Sequence, residues 1–261
     1  MNGPSLSQID PLLICTFLFV FMLLAIALGN KIRRKLWKAE EGETKGGVNS
    51  LMGALFGLWS FILAFSFNQS GGRFQNVQAM IAEEASILRS TILQADFFPD
   101  SLRSAYRVDL REYLEKRISY YDYADDEIKF NSNRKELTTT ATALWERTVK
   151  LSKDPLTSGD AGNMAGDLKE LFDIGLKREA VLSAAMPTPI TIMLLTLAIS
   201  ISLIGGFTAP VIKLKDWIVI IAFALLASMI LYITIDLSRP MDGFIKPNVG
   251  QQTIIDLRKL F

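Results

Sequence analysis

The sequence contains no histidine and a single cysteine, Cys15, among its 261 residues. An intrachain disulfide needs two cysteines and a Cys/His zinc site needs several such ligands, so both are excluded, as is a haem held by histidine. Hydrolases that rely on a Ser-His-Asp or Cys-His arrangement are excluded for the same reason. We therefore expect a protein that is not an enzyme, with no catalytic residues, no cofactor and no metal site.

Charged residues are absent from four long stretches, residues 11–29, 48–67, 180–212 and 217–235, although the whole chain has 28 basic and 27 acidic side chains. A helix of roughly 20 apolar residues crosses the hydrocarbon core of a bilayer. The four stretches therefore predict transmembrane helices at residues 11–30, 48–68, 185–207 and 217–236. Because these spans lack paired carboxylates, an intramembrane aspartic protease is excluded as well.

The connection between the first two spans, residues 31–47, is short and rich in basic residues. Its basic residues are Lys31, Arg33, Arg34, Lys35, Lys38 and Lys45. Short loops with an excess of lysine and arginine stay in the cytoplasm. We therefore expect a multi-pass protein of the inner (cytoplasmic) membrane whose N-terminus lies outside. The loop 208–216 would then be cytoplasmic, and both the insert at 69–184 and the tail at 237–261 would be extracytoplasmic.

The insert between the second and third spans has charges of both signs and apolar residues at helical spacing. Breaks at Phe97–Pro99, Tyr123–Asn131 and Ser152–Gly159 separate four apolar stripes, and the last stripe runs on into the third span. Pro187 and Pro189 suit a helix start or a kink there. No stretch alternates convincingly at the two-residue period of a strand. We expect an all-α polytopic membrane protein with four transmembrane helices and a helical extramembrane insert.

Small residues recur every three or four positions along one face of the second span. Small residues at this spacing let helix backbones approach closely in lipid, either within the bundle or between subunits. The other interpretation is a pore lining of small and hydrophobic side chains, which can gate by dewetting. A four-span monomer encloses little space, so a pore would require a homo-oligomer with this helix at its axis. The candidate pore-lining residues are Gly53, Gly57, Ser60, Phe61, Ala64, Phe65 and Asn68, with Asn68, Ser70 and Arg73 at the outer mouth.

The fourth span ends in the sequence "IDLSRPMDGFIKP", residues 235–247. A span of this length places Asp236 at the membrane interface, and Pro240 stops the helix. Asp236 can pair with Arg239 or with a basic residue of the insert, for which Arg178 is the candidate. Glu84 can likewise pair with Arg89 or Arg178. These residues predict either a structural clasp, formed by Glu84, Arg178, Asp236, Arg239 and Pro240, or an ion site.

Several sequence elements, in order along the chain, resemble the bestrophin-like domain family of bacterial membrane proteins. They include "GALFGLWSFILAFSF" in the second span, "EEAS" at Glu83 to Ser86, "LREYLEKR" from Leu110, "KREAVLSAAMPTPI" before the third span, and "DLSRPMDGFIKP". The last element is the most specific. The resemblance implies four membrane helices, a helical insert and a distant relation to bestrophin anion channels.

The sequence is compatible with two functions from different classes. The first is an oligomeric, channel-like protein, with anions as the expected ions and the second span near the pore axis. The second is a non-transporting scaffold or sensor whose helical insert binds a partner or ligand. In both cases the expected partners are the lipid bilayer and further copies of the chain. For a channel-like protein, inorganic ions are a further expected partner. Nucleic acid is not expected, because the balanced charge leaves no basic face to bind it.

Overall fold

The computed structural model describes residues 9–36, 45–122, 127–183, 186–209, 212–240 and 243–261. Within these ranges the chain is helical and contains no strand, so the all-α prediction is confirmed. The helices are α1 (Pro11–Leu36), α2 (Lys45–Gln94), α3 (Asp100–Asp122), α4 (Glu127–Leu151), α5 (Ser158–Ser183), α6 (Thr188–Thr208), α7 (Leu214–Leu237) and α8 (Asn248–Asp256), with short 3₁₀ turns at Ala95–Phe97 and Leu257–Leu260.

In the part of the chain that the structure describes, four helices are long and apolar enough to cross a membrane, as the sequence predicted. They are α1, the first part of α2, α6 and α7. Helix α1 continues through Leu36, six residues beyond the predicted end of the first span, and carries Arg33, Arg34 and Lys35 in its last turn. Basic side chains stabilise a helix at this end because they oppose the partial negative charge of its dipole.

The chain divides into two compact units, the first formed by residues 1–72 and 185–239. Its core joins α1 to α6 and α7 through fully covered side chains such as Leu18, Met22, Leu194 and Leu231. Helices α1 and α6 cross closely where Gly29 meets Gly206. A Cβ on either glycine would overlap the backbone of the facing helix. Small residues permit this contact, which stabilises helix pairs in lipid through van der Waals packing.

The second unit comprises residues 73–184 and 240–261. One stripe of α2 (Val77, Ile81, Leu88 and Ile92) is almost completely buried in its core. Helices α3, α4 and α5 contribute the other large buried side chains: Tyr106, Leu110, Leu114, Leu144, Met164, Leu168 and Leu171. The predicted helical insert therefore forms a core of its own.

Two features of the second unit differ from the sequence-based expectation. The last stripe does not run into the third span, because α5 ends at Ser183 and α6 begins afresh at Thr188 after Pro187. Proline lacks the N–H that a continuing helix requires, and Pro189 fits the first turn of α6, where that N–H is not needed. The sequence predicted no secondary structure for the C-terminal tail, and the structure shows that it contains α8, which adds Ile254 to the core.

Candidate functional site

The seven candidate pore-lining residues all lie on one face of α2. Gly53, Gly57, Ala64 and Asn68 are exposed and Ser60 is half-buried. The rings of Phe61 and Phe65 are 70% and 63% exposed, respectively. Steps of three and four residues keep a helix face in register, which is why these positions remain together over four turns. The first unit therefore leaves this face uncovered.

The opposite face of α2 attaches the helix to the rest of the first unit. Trp59, Leu63 and Ser66 are buried there, and the Trp59 indole Nε1 donates a hydrogen bond of 3.0 Å to the carbonyl oxygen of Leu194 in α6. Ser70, which the sequence placed at a pore mouth with Asn68, is also buried on this side. Only 17% of the apolar stretch of this span is buried, compared with 39%, 33% and 33% for the other three spans.

The two glycines of the exposed face have open space beside them. Among the described residues, no heavy atom would lie within 4 Å of a Cβ added to Gly53 or Gly57. The tight α1–α6 crossing at Gly29 and Gly206 shows how this chain uses glycine when helices do meet. The GxxxG spacing of α2 is therefore available to lipid or to another protein surface.

The second unit contains a buried ionic cluster centred on Glu84 of α2. The Arg117 Nε of α3 donates a hydrogen bond to Glu84 Oε1, and the Arg178 Nη1 of α5 pairs with Glu84 Oε2. All three side chains are at most 2% exposed. Burying charges is costly unless they are paired with good geometry. The cluster therefore ties three helices together at one point.

Aromatic residues and one glycine surround this cluster. The Cζ atoms of Arg117 and Arg178 lie 5.6 and 5.5 Å from the ring centre of Tyr120, within the range of cation–π attraction. Burial raises the pKa of the nearby Tyr113 hydroxyl to about 12. Gly175 of α5 makes room for the cluster, because a Cβ there would lie 2.8 Å from Nη2 of Arg117.

The sequence predicted part of this cluster. The Glu84–Arg178 ion pair is one of the two pairings suggested for Glu84, whereas the roles of Arg117, Tyr120 and Gly175 were missed. A signal for Arg117 was present, since it occupies a position in the apolar stripe of α3 between the buried Leu114 and Ile118. A charged residue in an apolar stripe indicates a buried ion pair.

The remaining clasp residues lie at the end of α7 and just beyond it. The helix ends at Leu237 and Asp236 is 1% exposed. The Arg239 guanidinium donates a hydrogen bond of 2.7 Å to the carbonyl oxygen of Ile9. Asp236 and Arg239 belong to the first unit, whereas Pro240, Glu84 and Arg178 belong to the second. A clasp that joins all five residues stays a prediction.

The side chains of these two sites suit helix packing on α2 and ion pairing around Glu84. The α2 face presents glycine, alanine, serine, an amide and two phenyl rings, a set suited to helix contact or to a narrow apolar passage. Within the described ranges, no three acidic or cysteine side chains come together in a way that could hold a metal ion.

Comparison with known proteins gives one match. The family model described as "Bestrophin-like domain" matches residues 16–246. No curated protein and no solved structure matches the chain. The matched region includes α1 from residue 16 onward, helices α2 to α7 with the ionic cluster, and residues 235–246 of the motif at the end of α7. Since it covers most of the sequence, the chain belongs to the bestrophin-like domain family.

Proposed function

We propose that this membrane protein is an oligomeric, channel-like protein in which copies of α2 surround a narrow pore, with anions as the conducted ions. One observation carries the proposal: all seven candidate pore-lining residues lie on a single uncovered face of α2. The relation to the bestrophin-like domain family supports the choice of anions.

The residues of this face suit a pore formed between copies of the chain. Gly53 and Gly57 let neighbouring helices approach closely around an axis. The rings of Phe61 and Phe65 would narrow the passage, and a hydrophobic constriction of this kind gates by excluding water. Asn68 lies fifteen positions after Gly53, or roughly 22 Å along the helix, and supplies a polar group at one end.

The proposal is tested by electrical recording from the purified protein in planar bilayers. We expect anion currents that Phe61→Ala or Phe65→Ala increases, because removal of a ring widens an apolar constriction. The matched control is Phe17→Ala on α1, whose ring is 62% exposed but lies on a different helix. That variant should leave the currents unchanged. Silence of the wild-type protein over a wide range of voltage, pH and salt would contradict the proposal.

A second candidate function is a scaffold or sensor that binds a ligand through the second unit. It is favoured by a groove of about 280 Å³ between α2 and α5. The groove is lined by Glu83, Lys169, Glu170, Asp173 and Lys177 around the apolar Ile87 and Ile174. Charges of both signs around an apolar floor suit a polar partner surface.

Affinity purification from membranes distinguishes the two functions. A scaffold or sensor should retain a partner protein whose binding weakens when Lys169→Glu or Lys177→Glu changes the groove. Recovery of self-oligomers alone, together with anion currents, would favour the channel.

A further inference from the structure

One end of the first unit gathers basic side chains from two separate parts of the chain. The last turns of α1 carry Lys31, Arg33, Arg34 and Lys35. The α6–α7 connection, in which we include the first residues of α7 as far as Asp216, carries Lys213 and Lys215. Arg33 holds the two parts together, because its Nη1 donates hydrogen bonds to the carbonyl oxygens of Thr208 and Ala209 at the end of α6.

The geometry brings the two lysines of the connection close to the basic end of α1. Lys213 follows Ala209 by four residues, so their Cα atoms lie within about 15 Å of each other. Asp216 is the acidic residue of this connection. Its carboxylate accepts a hydrogen bond of 2.8 Å from the backbone N–H of Lys213 and so caps the N-terminus of α7. Lys31, Arg34, Lys35, Lys213 and Lys215 are exposed around this point, and together with Arg33 they form what we call the basic end.

The two stretches of sequence that contain these residues have a net positive charge. Residues 31–47 and 213–216 contain eight basic and four acidic side chains. In the described part of the first unit, the opposite end has Asp10, Asp236 and Arg239. Positive charge is therefore concentrated at one end of the membrane helices.

Exposed apolar side chains adjoin the basic residues. Leu28 of α1 is 52% exposed, and Leu214 and Ile218 of α7 are 87% and 71% exposed, respectively. Lysine and arginine next to such residues lay their methylene stems along apolar surface and keep their charges at the level of the headgroups. An anionic phospholipid offers both parts of this pattern, since its phosphate matches the charges and its chains match the leucine and isoleucine side chains.

We infer that the basic end binds the headgroups of anionic phospholipids in the leaflet that it faces, in preference to zwitterionic ones. Each lysine or arginine near an anionic surface strengthens attraction about fivefold, because it contributes about 1 kcal/mol. The inference is independent of ion conduction, and it requires only that the four apolar helices cross the bilayer.

Native mass spectrometry of the full-length protein in detergent tests this inference. Phosphatidylglycerol and phosphatidylcholine with the same acyl chains are added at equal concentration, and the bound lipid is counted. We expect phosphatidylglycerol to be retained at least about tenfold more strongly. The variant Arg34→Gln/Lys35→Gln/Lys213→Gln/Lys215→Gln should lose most of this preference. Arg33 is kept because it holds α6.

A matched control removes the same number of exposed basic side chains from the second unit. This control is Arg111→Gln/Lys135→Gln/Lys150→Gln/Lys153→Gln, which should keep the full preference. If the first variant does not fold, as judged by its circular dichroism, the double variant Lys213→Gln/Lys215→Gln replaces it and should weaken phosphatidylglycerol binding by at least about fivefold.

Three outcomes would overturn the inference. The first is equal retention of the two lipids by the wild-type protein, and the second is an unchanged preference in the variant with four glutamines in the basic end. The third is loss of bound phosphatidylglycerol when inorganic phosphate replaces chloride at constant ionic strength, which would indicate a site for free anions instead of a lipid surface.

Discussion

The two halves of α2 place their apolar side chains in different surroundings. In the second half, Val77, Ile81, Leu88 and Ile92 are at most 1% exposed, because the helices of the second unit cover them. In the first half, six large apolar side chains are between 40% and 70% exposed: Leu51, Phe56, Leu58, Phe61, Phe65 and Phe67. Along this one helix, the apolar side chains are therefore largely exposed in the first half and buried in the second half.

This difference shows which half of α2 needs contacts from outside the chain to cover its apolar side chains. The second half completes a core and buries Glu84 between two guanidinium groups, so its stability comes from contacts within the chain. The first half requires lipid or further copies of the protein to cover its apolar face. Substitutions in the second half should therefore change folding, whereas substitutions in the first half should change assembly or conduction.

The largest effect is expected for Glu84→Gln, which removes the negative charge between Arg117 and Arg178. Loss of one partner from a buried ion pair leaves uncompensated charge and costs about 3–5 kcal/mol. Denaturant titration of the purified protein in detergent, followed by circular dichroism, measures the free energy of unfolding. Glu83→Gln is the control, because Glu83 is the exposed neighbour on the same helix. Equal stability of the two variants would show that the cluster contributes little.

Truncating one large side chain in each half of α2 tests whether the two halves contribute differently to the free energy of unfolding. Leu88 is 1% exposed, and Leu88→Ala should lower the free energy of unfolding by about 2–5 kcal/mol through lost burial and a cavity. Phe61 is 70% exposed, and Phe61→Ala should change the same quantity by less than about 0.5 kcal/mol. The same titration measures both. A large loss for Phe61→Ala in the monomer would mean that the first half is covered within the chain.

Tyr113 gives the second unit a pH-dependent contribution at high pH. Burial raises the pKa of its hydroxyl to about 12 in the folded protein, whereas an unfolded tyrosine titrates near 10. Because the folded pKa is the higher one, the contribution is complete below pH about 10 and is lost as the pH rises through about 12. Two pKa units correspond to about 2–3 kcal/mol.

Unfolding titrations between pH about 9 and 12 test this contribution. The wild-type protein should lose more stability over that range than Tyr113→Phe, which has no hydroxyl to ionise. A second hydroxyl, that of Tyr106, also has a pKa raised by burial and remains in both proteins, so the difference between them reports Tyr113 alone. Parallel pH profiles would contradict the assignment.

Most of the fold could be predicted because membrane spans and amphipathic helices leave strong periodic signals. Runs without charge located α1, α6 and α7, and the proline after Phe98 located the end of the α2 stripe. Helix α8 was missed because nine residues are too few to show a pattern. The apolar stripe of α5 was expected to run on into the third span, and Pro187 and Pro189 indicated either a helix start or a kink there. The structure has the helix start, because α6 begins at Thr188 with Pro187 as its N-cap.

The candidate site could be predicted only where one helix face defines it. The seven α2 residues share a face by spacing alone, so their common orientation followed from the sequence. The Glu84 cluster joins three helices, and spacing along one helix does not reveal which buried arginine meets which carboxylate. Arg117 was visible as a charge in an apolar stripe, but its partner required the packing of α2 against α3 and α5.

Adding a methyl group to a glycine should have different effects on the free energy of unfolding at a covered glycine and at an uncovered one. Gly206→Ala pushes α1 away from α6, because the new Cβ would overlap the backbone at Ile26, and this overpacking should cost about 1–3 kcal/mol. Gly53→Ala places its methyl in open space, and alanine favours a helix over glycine by about 1 kcal/mol. The free energy of unfolding should therefore stay constant or rise slightly, while conductance falls because the methyl group reaches the proposed pore. Unchanged conductance in a normally assembled Gly53→Ala protein would place this face against lipid.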